Sequence, residues 1–320
     1  MTLERTVSMN TWTGRKTYEH HGTFEEIRAK VPSFQKEDFA LEDGGENKYT
    51  DVIVMNPADG GEPVPVSTVS KGYSLIQHRT VMDSTSDALK ELGYNINDLK
   101  SQVNLTEYGE RMWGRIRFPE QHSFDPGDGH KLDLELHFIN SVDKSTRLIF
   151  EIGWYRMVCT NGLISRVKST TTRRKHTISL VPEFLSEYFK QTIVEMETEP
   201  DRYKSLHLKK VAIGQEDLEN WVDKTVAPKW GVRLAARSYN ILRTGYDGKP
   251  SIAHANKDAY KYEAHKIPVN KTTEVPGQPQ EAETAYDVVN ALSWIASHQD
   301  SLQTRYDQMK QVPELVSQLQ

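Results

Sequence analysis

Between Arg156 and His176 the chain carries Arg156, Arg166, Lys168, Arg173, Arg174 and Lys175 and no acidic residue. Upstream, residue type alternates strictly through Arg111-Met112-Trp113-Gly114-Arg115-Ile116-Arg117-Phe118. A two-residue period puts Arg111, Trp113, Arg115 and Arg117 on one face of a strand and turns Met112, Ile116 and Phe118 toward a core. Guanidinium groups around an indole suit the binding of single-stranded nucleic acid, in which cations follow the phosphates and aromatic rings stack on the bases. The candidate nucleic-acid-binding residues are therefore of two kinds. Arg111, Trp113, Arg115 and Arg117 would hold and stack a strand, and Arg166, Lys168, Arg173, Arg174 and Lys175 would clamp phosphates. The plainer alternative is a set of solvated side chains, with Trp113 covered by a helix.

Other reactive residues form weaker patterns. His122 and His130 lie in a Gly- and Pro-rich loop with Asp125, Asp128 and Asp133, where a metal site competes with an ordinary solvated loop. His20 and His21 are adjacent, so they cannot share a helical face as an i, i+4 pair would. Cys159 is the single cysteine. Arg156 nearby would favour a thiolate, but Met157-Val158-Cys159 continues an apolar strand, where a free cysteine acts as a small hydrophobe. The sequence has no GxxxxGK[ST] phosphate loop, no GxGxxG after a strand, no HExxH and no GxSxG. No cofactor, no metal and no catalytic residue are assigned.

The elements that must position these residues follow from periodicity. Asp51–Met55 and a segment near Pro65–Ser70 read as strands. Arg79–Leu92 reads as a helix with Val81, Met82, Ala88, Leu89 and Leu92 on its apolar face and Gly93 as its stop. Leu132–Phe138 alternates with leucines inside and acids outside. A turn at Ser141–Ser145 joins it to a return strand, Arg147–Val158, giving a hairpin. Ser165–His176 reads as a loop or an irregular edge. Pro182–Glu197 reads as a helix, as do segments near Gln215–Thr225 and Pro228–Arg243, and Asp247–Pro250 as a turn. Residues 267–284 are rich in Pro, Gly and Thr and read as a linker. Beyond them Thr284 would cap a long helix whose Val288, Leu292, Ile295, Leu302, Tyr306 and Met309 form a seam for another helix, in this chain or a neighbour.

Composition sets the class. The chain has 320 residues, 40 Lys+Arg against 45 Asp+Glu, and 37% hydrophobic residues. Its mean hydropathy is −0.66. No stretch approaches the roughly 20 apolar residues of a membrane span. Met1–Arg5 is polar, without the apolar stretch of a signal peptide, and a lone cysteine excludes an intramolecular disulfide framework, so a cytoplasmic protein is expected. The charge is uneven: residues 1–150 hold 17 basic and 24 acidic side chains, residues 151–271 hold 21 and 14, and residues 272–320 hold 2 and 7. A basic middle between acidic flanks suggests an anionic partner.

Several segments resemble an uncharacterised family found on phages and plasmids. Arg156-Met157-Val158-Cys159-Thr160-Asn161-Gly162-Leu163 is similar to its Arg-Val-Val-Cys-x-Asn-x-Leu signature. Asn140–Ser145 resembles its His-Asp-Gly-Ser turn, with His and Gly replaced. Tyr73-Ser74-Leu75-Ile76 resembles an N-terminal element of the family, and Tyr286–Leu292 with His298 its C-terminal helix. The resemblance spans roughly residues 65–300 and implies a mobile-element context without an assigned activity. A looser, fold-level resemblance is to the single-strand annealing proteins of phages, which set a helix across a β-hairpin sheet and assemble into rings.

The expectation is an α+β fold with a central antiparallel sheet, a packed helix and a helical C-terminal half. It divides into a polar segment 1–50, a core domain 51–266, a linker 267–284 and a C-terminal helix 285–320. The expected function is ATP-independent binding and annealing of single-stranded DNA in phage or plasmid recombination. A homo-oligomer is expected and a membrane partner is not. Two alternatives stand beside it: a mobile-element protein that binds and inhibits a host defence or nucleic-acid-handling complex, and an enzyme using Cys159 or the His122/His130 loop.

Overall fold

The computed structural model describes residues 6–10, 15–42, 44–156, 171–174, 182–210, 214–251, 263–299 and 302–319. The fold is α+β and separates into two compact units. The first comprises residues 1–122, 134–153 and 167–196, and the second 123–133, 154–166 and 197–320. No helix among the described residues is long and apolar enough to cross a membrane.

Unit 1 opens with β1 (Thr6–Asn10) and β2 (Arg15–Gly22), then α1 (Phe24–Lys30). Thr23-x-x-Glu26 closes a capping box on α1: the Thr23 hydroxyl accepts from the Glu26 N–H, and the Glu26 carboxylate accepts from the Thr23 N–H. Phe24 and Ile27 are fully buried. A three-stranded antiparallel sheet follows, β3 (Ser33–Ala40), β4 (Glu46–Asn56) and β5 (Val64–Ser70). Its core holds Phe34, Ile53, Met55 and Val69. Residues 1–50 are therefore not merely a polar segment. They supply strands and core side chains, because each short amphipathic element buries only two or three apolar residues among many charges.

Helix α2 (His78–Glu91) buries Val81, Met82, Ala88 and Leu89, and Gly93 follows with φ 85°, as the apolar spacing and stop signal predict. The remaining strands are β6 (Lys100–Thr106), β7 (Arg111–Arg117), β8 (Leu132–Ser141), β9 (Leu148–Arg156) and β10 (Thr171–Arg174). They complete a seven-stranded sheet of order β1-β2-β6-β7-β8-β9-β10. The β8–β9 hairpin follows the alternation, and Met112, Ile116 and Phe118 are buried as expected. Gly114 lies opposite Phe138, where an added Cβ would stand 1.9 Å from the Phe138 ring, so only glycine fits. Part of the basic stretch read as a loop or edge is a regular edge strand, with Thr171–Arg174 paired antiparallel to β9. Helix α3 (Pro182–Glu197) has the predicted bounds and sets Phe189 against Phe150.

The acids of β8 depart from expectation. All ten residues from Leu132 to Ser141 are buried, Asp133, Glu135 and His137 included. Two-residue alternation identifies the face a side chain takes and leaves open whether that face meets solvent.

Unit 2 is mostly helical: α4 (Glu199–Leu208), α5 (Gln215–Trp221), a π-helical turn (Val222–Val226), α6 (Ala227–Trp230), α7 (Val232–Thr244), α8 (Ala285–Ser297) and α9 (Leu302–Ser317). Two strands, β11 (Tyr246–Pro250) and β12 (Val269–Glu274), pair antiparallel. This replaces the expected turn at 247–250 and places a strand inside the expected linker. The β-branched Val269, Thr272 and Thr273 explain the pairing. Thr284 caps α8 through a capping box with Asp287. The expected single terminal helix is two, α8 and α9, packed against each other. Val288, Leu292, Ile295 and Met309 of the predicted seam are spent in the core of their own unit, with Trp221, Trp230 and Trp294. Each of these indoles satisfies its N–H: Trp221 on the Leu315 carbonyl, Trp230 on Gln311, and Trp294 on Asp247.

Candidate nucleic-acid interface

Strand register places the candidate residues on a grid. Reading β2, β6, β7 and β8 in order, one row holds Thr17, Thr106 and, beyond the β6–β7 turn, Arg111 and Ser141. The next holds Glu19, Asn104, Trp113 and Ile139, and the next His21, Gln102, Arg115 and His137. Lys100, Arg117 and Glu135 form the last. Arg111, Trp113, Arg115 and Arg117 thus share one face of β7, all of intermediate exposure, alternating with buried Met112, Gly114 and Ile116.

Carboxylates and amides hold these cations. Arg117 Nη2 lies 3.1 Å from Glu135 Oε1, and Arg115 Nη1 lies 3.9 Å from Glu135 Oε2. His137 Nε2 donates to Glu135 Oε2 at 2.9 Å. Arg115 also donates to the Gln102 carbonyl oxygen, and Gln102 Nε2 donates to Glu19 Oε1 at 2.5 Å. His21 Nε2 lies 2.6 Å from the same Glu19 oxygen. Arg111 Nε donates to Asp143 Oδ2 at 2.9 Å. Trp113 stands edge-on to His137, ring centroids 5.3 Å apart, and the Arg115 guanidinium lies 5.9 Å from the indole centroid.

Burial opposes charge on Glu135, but the His137 hydrogen bond and the fields of Arg115 and Arg117 outweigh it and hold the carboxyl below its usual range. Burial pushes the His137 imidazole below its usual value, against the pull of Glu135, so at neutral pH the pair is a carboxylate accepting from a neutral ring. Burial likewise opposes the Asp143 charge, and hydrogen bonds from Ser145 and Arg111 overcome it.

One member of the grid stands apart. Asn104 is 1% exposed, and neither its side-chain oxygen nor its nitrogen has a hydrogen-bond partner. A buried polar group left this way costs about 1–3 kcal/mol. The sequence reading missed Asn104, Gln102, Glu135 and His137 as site residues. The signal was present in Lys100-Ser101-Gln102-Val103-Asn104-Leu105-Thr106, whose alternation matches that of β7 across a short turn.

The second basic group is only partly placed. Arg173 and Arg174 lie on β10, opposite Ile149 and Leu148. Strands β8 and β9 stand between β10 and β7, a separation of about 14 Å at the usual strand spacing. Arg166, Lys168 and Lys175 lie outside the described residues, as does Cys159.

The loop weighed as a metal site is tied up by other bonds. Asp125 accepts from the Gly127 and Gly129 N–H groups, and Asp128 accepts from the His130 N–H and the Tyr286 hydroxyl. Among the described residues no three His, Cys, Asp or Glu side chains gather for a metal ion. A cavity of about 460 Å³ near the β6–β7 turn, lined by Tyr18, His20, Lys30, Pro57, Glu107 and Tyr108 among others, mixes rings with charges of both signs and selects no ligand class.

Two of the segments noted in the sequence meet in unit 1. Asn140 Nδ2 donates to the Ile76 carbonyl and to His78 Nδ1, each at 2.9 Å, and His78 Nε2 donates to the Gly109 carbonyl at 2.8 Å. Tyr73 donates to the Ser141 carbonyl. Asp143 of the same turn holds Arg111, so this frame ends at the candidate face.

A family model described as Domain of unknown function (DUF932) matches residues 65–317, more than three quarters of the chain. No curated protein and no solved structure matches.

Proposed function

We propose, for a chain that belongs to the Domain of unknown function (DUF932) family, that it binds single-stranded DNA and anneals complementary strands without ATP, as a phage or plasmid protein acting in recombination. The observation that carries this reading is Trp113 flanked along one strand face by Arg111, Arg115 and Arg117, with Arg115 against the indole. Base stacking on such a ring contributes about 1–3 kcal/mol per base. Arg111 and Arg117 are held by Asp143 and Glu135, which orient the forks and also reduce the positive charge. The salt dependence of binding at this face is therefore shallower than three free arginines would give. Arg166, Lys168, Arg173, Arg174 and Lys175 are proposed as a second set of phosphate contacts. Val288, Leu292, Ile295 and Met309 of the α8 and α9 seam lie in the core of unit 2, so these four supply no surface for the proposed self-association.

The test is fluorescence anisotropy with a labelled single-stranded oligonucleotide across a salt series. Binding that weakens with salt and weakens further in Trp113→Ala is expected. No binding at low salt sinks the proposal. Binding unchanged when Arg173, Arg174 and Lys175 are all replaced by Ala removes the second set from it.

A further inference from the structure

We propose that Arg115 is the phosphate contact of the β7 face, and that Glu19 positions it by fixing the Gln102 amide. The inference rests on the strand-binding reading and divides the roles among the arginines of that face.

Arg111, Arg115 and Arg117 differ in what holds them. Arg111 is paired with Asp143 and Arg117 with Glu135, so each brings to the face a charge already matched by a carboxylate. Arg115 donates instead to the Gln102 amide oxygen, which is neutral. Glu135 Oε2 stands 3.9 Å from Arg115, too far for a hydrogen bond, and accepts from His137. Arg115 is also the most open of these arginines, its side chain 33% exposed against 21% for Arg111 and 18% for Arg117. A guanidinium oriented by a neutral acceptor keeps its charge for an anion, and its forked donors match a phosphate. It lies 5.9 Å from the Trp113 ring centroid, which sets a cation beside a stacking ring as strand binding requires.

Glu19 enters because the Gln102 amide has two orientations, and only one offers Arg115 an acceptor. A carboxylate accepts and a guanidinium donates, so the chemistry at each end dictates which way the amide turns. Glu19 Oε1 accepts from Gln102 Nε2 at 2.5 Å, which leaves the amide oxygen for Arg115. Strand pairing makes this a relay from Glu19 on β2, through Gln102 on β6, to Arg115, the direct partner of Gln102 on β7. His21, further along β2, lies 2.6 Å from the same Glu19 oxygen and steadies the far end. Gln102 is buried, so these bonds rather than bulk water satisfy its amide. The amide also spaces the Glu19 charge away from Arg115, so the cation is oriented without being paired.

The experiment measures affinity and salt slope for a labelled single-stranded oligonucleotide on the full chain and its variants. Arg115→Gln is expected to make the slope shallower by about 0.7, the value of one phosphate contact on a single strand. Glu19→Leu and Glu19→Gln remove the same negative charge, a change that by itself favours an anionic ligand. Glu19→Leu is nevertheless expected to weaken binding about three- to tenfold, the worth of one hydrogen bond. Glu19→Gln keeps an oxygen that can accept from the Gln102 amide, and it is expected to bind at least as tightly as wild type. Adding Glu19→Leu to Arg115→Gln should cause no further loss. An unchanged slope in Arg115→Gln overturns the phosphate assignment. Equal affinities of Glu19→Leu and Glu19→Gln, or a Glu19→Leu loss that persists in the Arg115→Gln background, overturn the positioning role. Each of these outcomes leaves strand binding standing, whereas no binding by the wild type at low salt sinks that reading and this inference with it.

Discussion

The two faces of β7 solve one problem in opposite ways. On one, Met112, Gly114 and Ile116 are buried by shape, with the Phe138 ring filling the space above Gly114. On the other, Arg115, Arg117, Glu135 and His137 are buried or half-buried by mutual bonding. The apolar face gains from leaving water and depends on fit. The polar face gives up hydration and recovers it through ion pairs, a balance that in other proteins often equals or falls below that of an apolar replacement. The first face therefore accounts for the fold, and the second has a composition that stability alone does not require.

The largest effect is expected on the apolar face. Gly114→Ala places a methyl against the ring of Phe138, which is itself fully buried and must shift to admit it, so a loss of about 3 kcal/mol in denaturant unfolding is expected. The double variant with Phe138→Leu should recover part of that loss. A freely tolerated Gly114→Ala would break the claim that this face is held by shape.

Next comes the carboxylate at the centre of the polar face. Glu135→Ala leaves Arg117 and His137 without their shared partner and should cost about 3 kcal/mol. Replacing Glu135, Arg117 and His137 together with Leu, Met and Leu should cost much less, while oligonucleotide binding falls. If the triple variant is as unstable as Glu135→Ala, the polar network is structural and the contrast between the faces disappears.

How much of this was legible follows from what each face asks of a sequence. Alternation alone placed Arg111, Trp113, Arg115 and Arg117 together, and the spacing of Phe184, Leu185, Tyr188, Phe189, Ile193 and Met196 gave helix Pro182–Glu197 its bounds. Burial of Glu135 and His137 was not legible, because an acid next to a leucine reads as solvent-facing until its cross-strand arginine is known. The pairing of Arg117 with Glu135 joins residues 18 positions apart through register, which no local window contains. Asn104 is a further step removed, since its interest lies in the bonds it lacks. In the first 50 residues the Thr23-x-x-Glu26 capping box was readable, but the apolar residues it introduces, Phe24 and Ile27, are too few to stand out by periodicity.

Trp113→Ala separates function from fold. The indole is only half-buried, so its removal should change stability modestly while oligonucleotide affinity falls by about 1–3 kcal/mol, read by anisotropy at fixed salt. Equal losses of stability and affinity would place Trp113 in the structural role of its neighbours on the other face.

The smallest expected effect is on pH dependence. His137 and Glu135 both have pKa values lowered in the folded chain, so the unfolded chain binds more protons as the solution is acidified. Their contribution is complete above the ordinary histidine value near 6.5. It is lost as pH falls, first through His137 and then, below the ordinary carboxylate range, through Glu135. One proton corresponds to a slope of at most about 1.4 kcal/mol per pH unit. His298, whose pKa is also lowered by burial, contributes with the same sign, so the comparison must be with His137→Gln, which leaves His298 in place. As pH falls below about 6.5 the wild type should lose stability faster than His137→Gln, and parallel curves would mean that the polar face does not hold its histidine neutral.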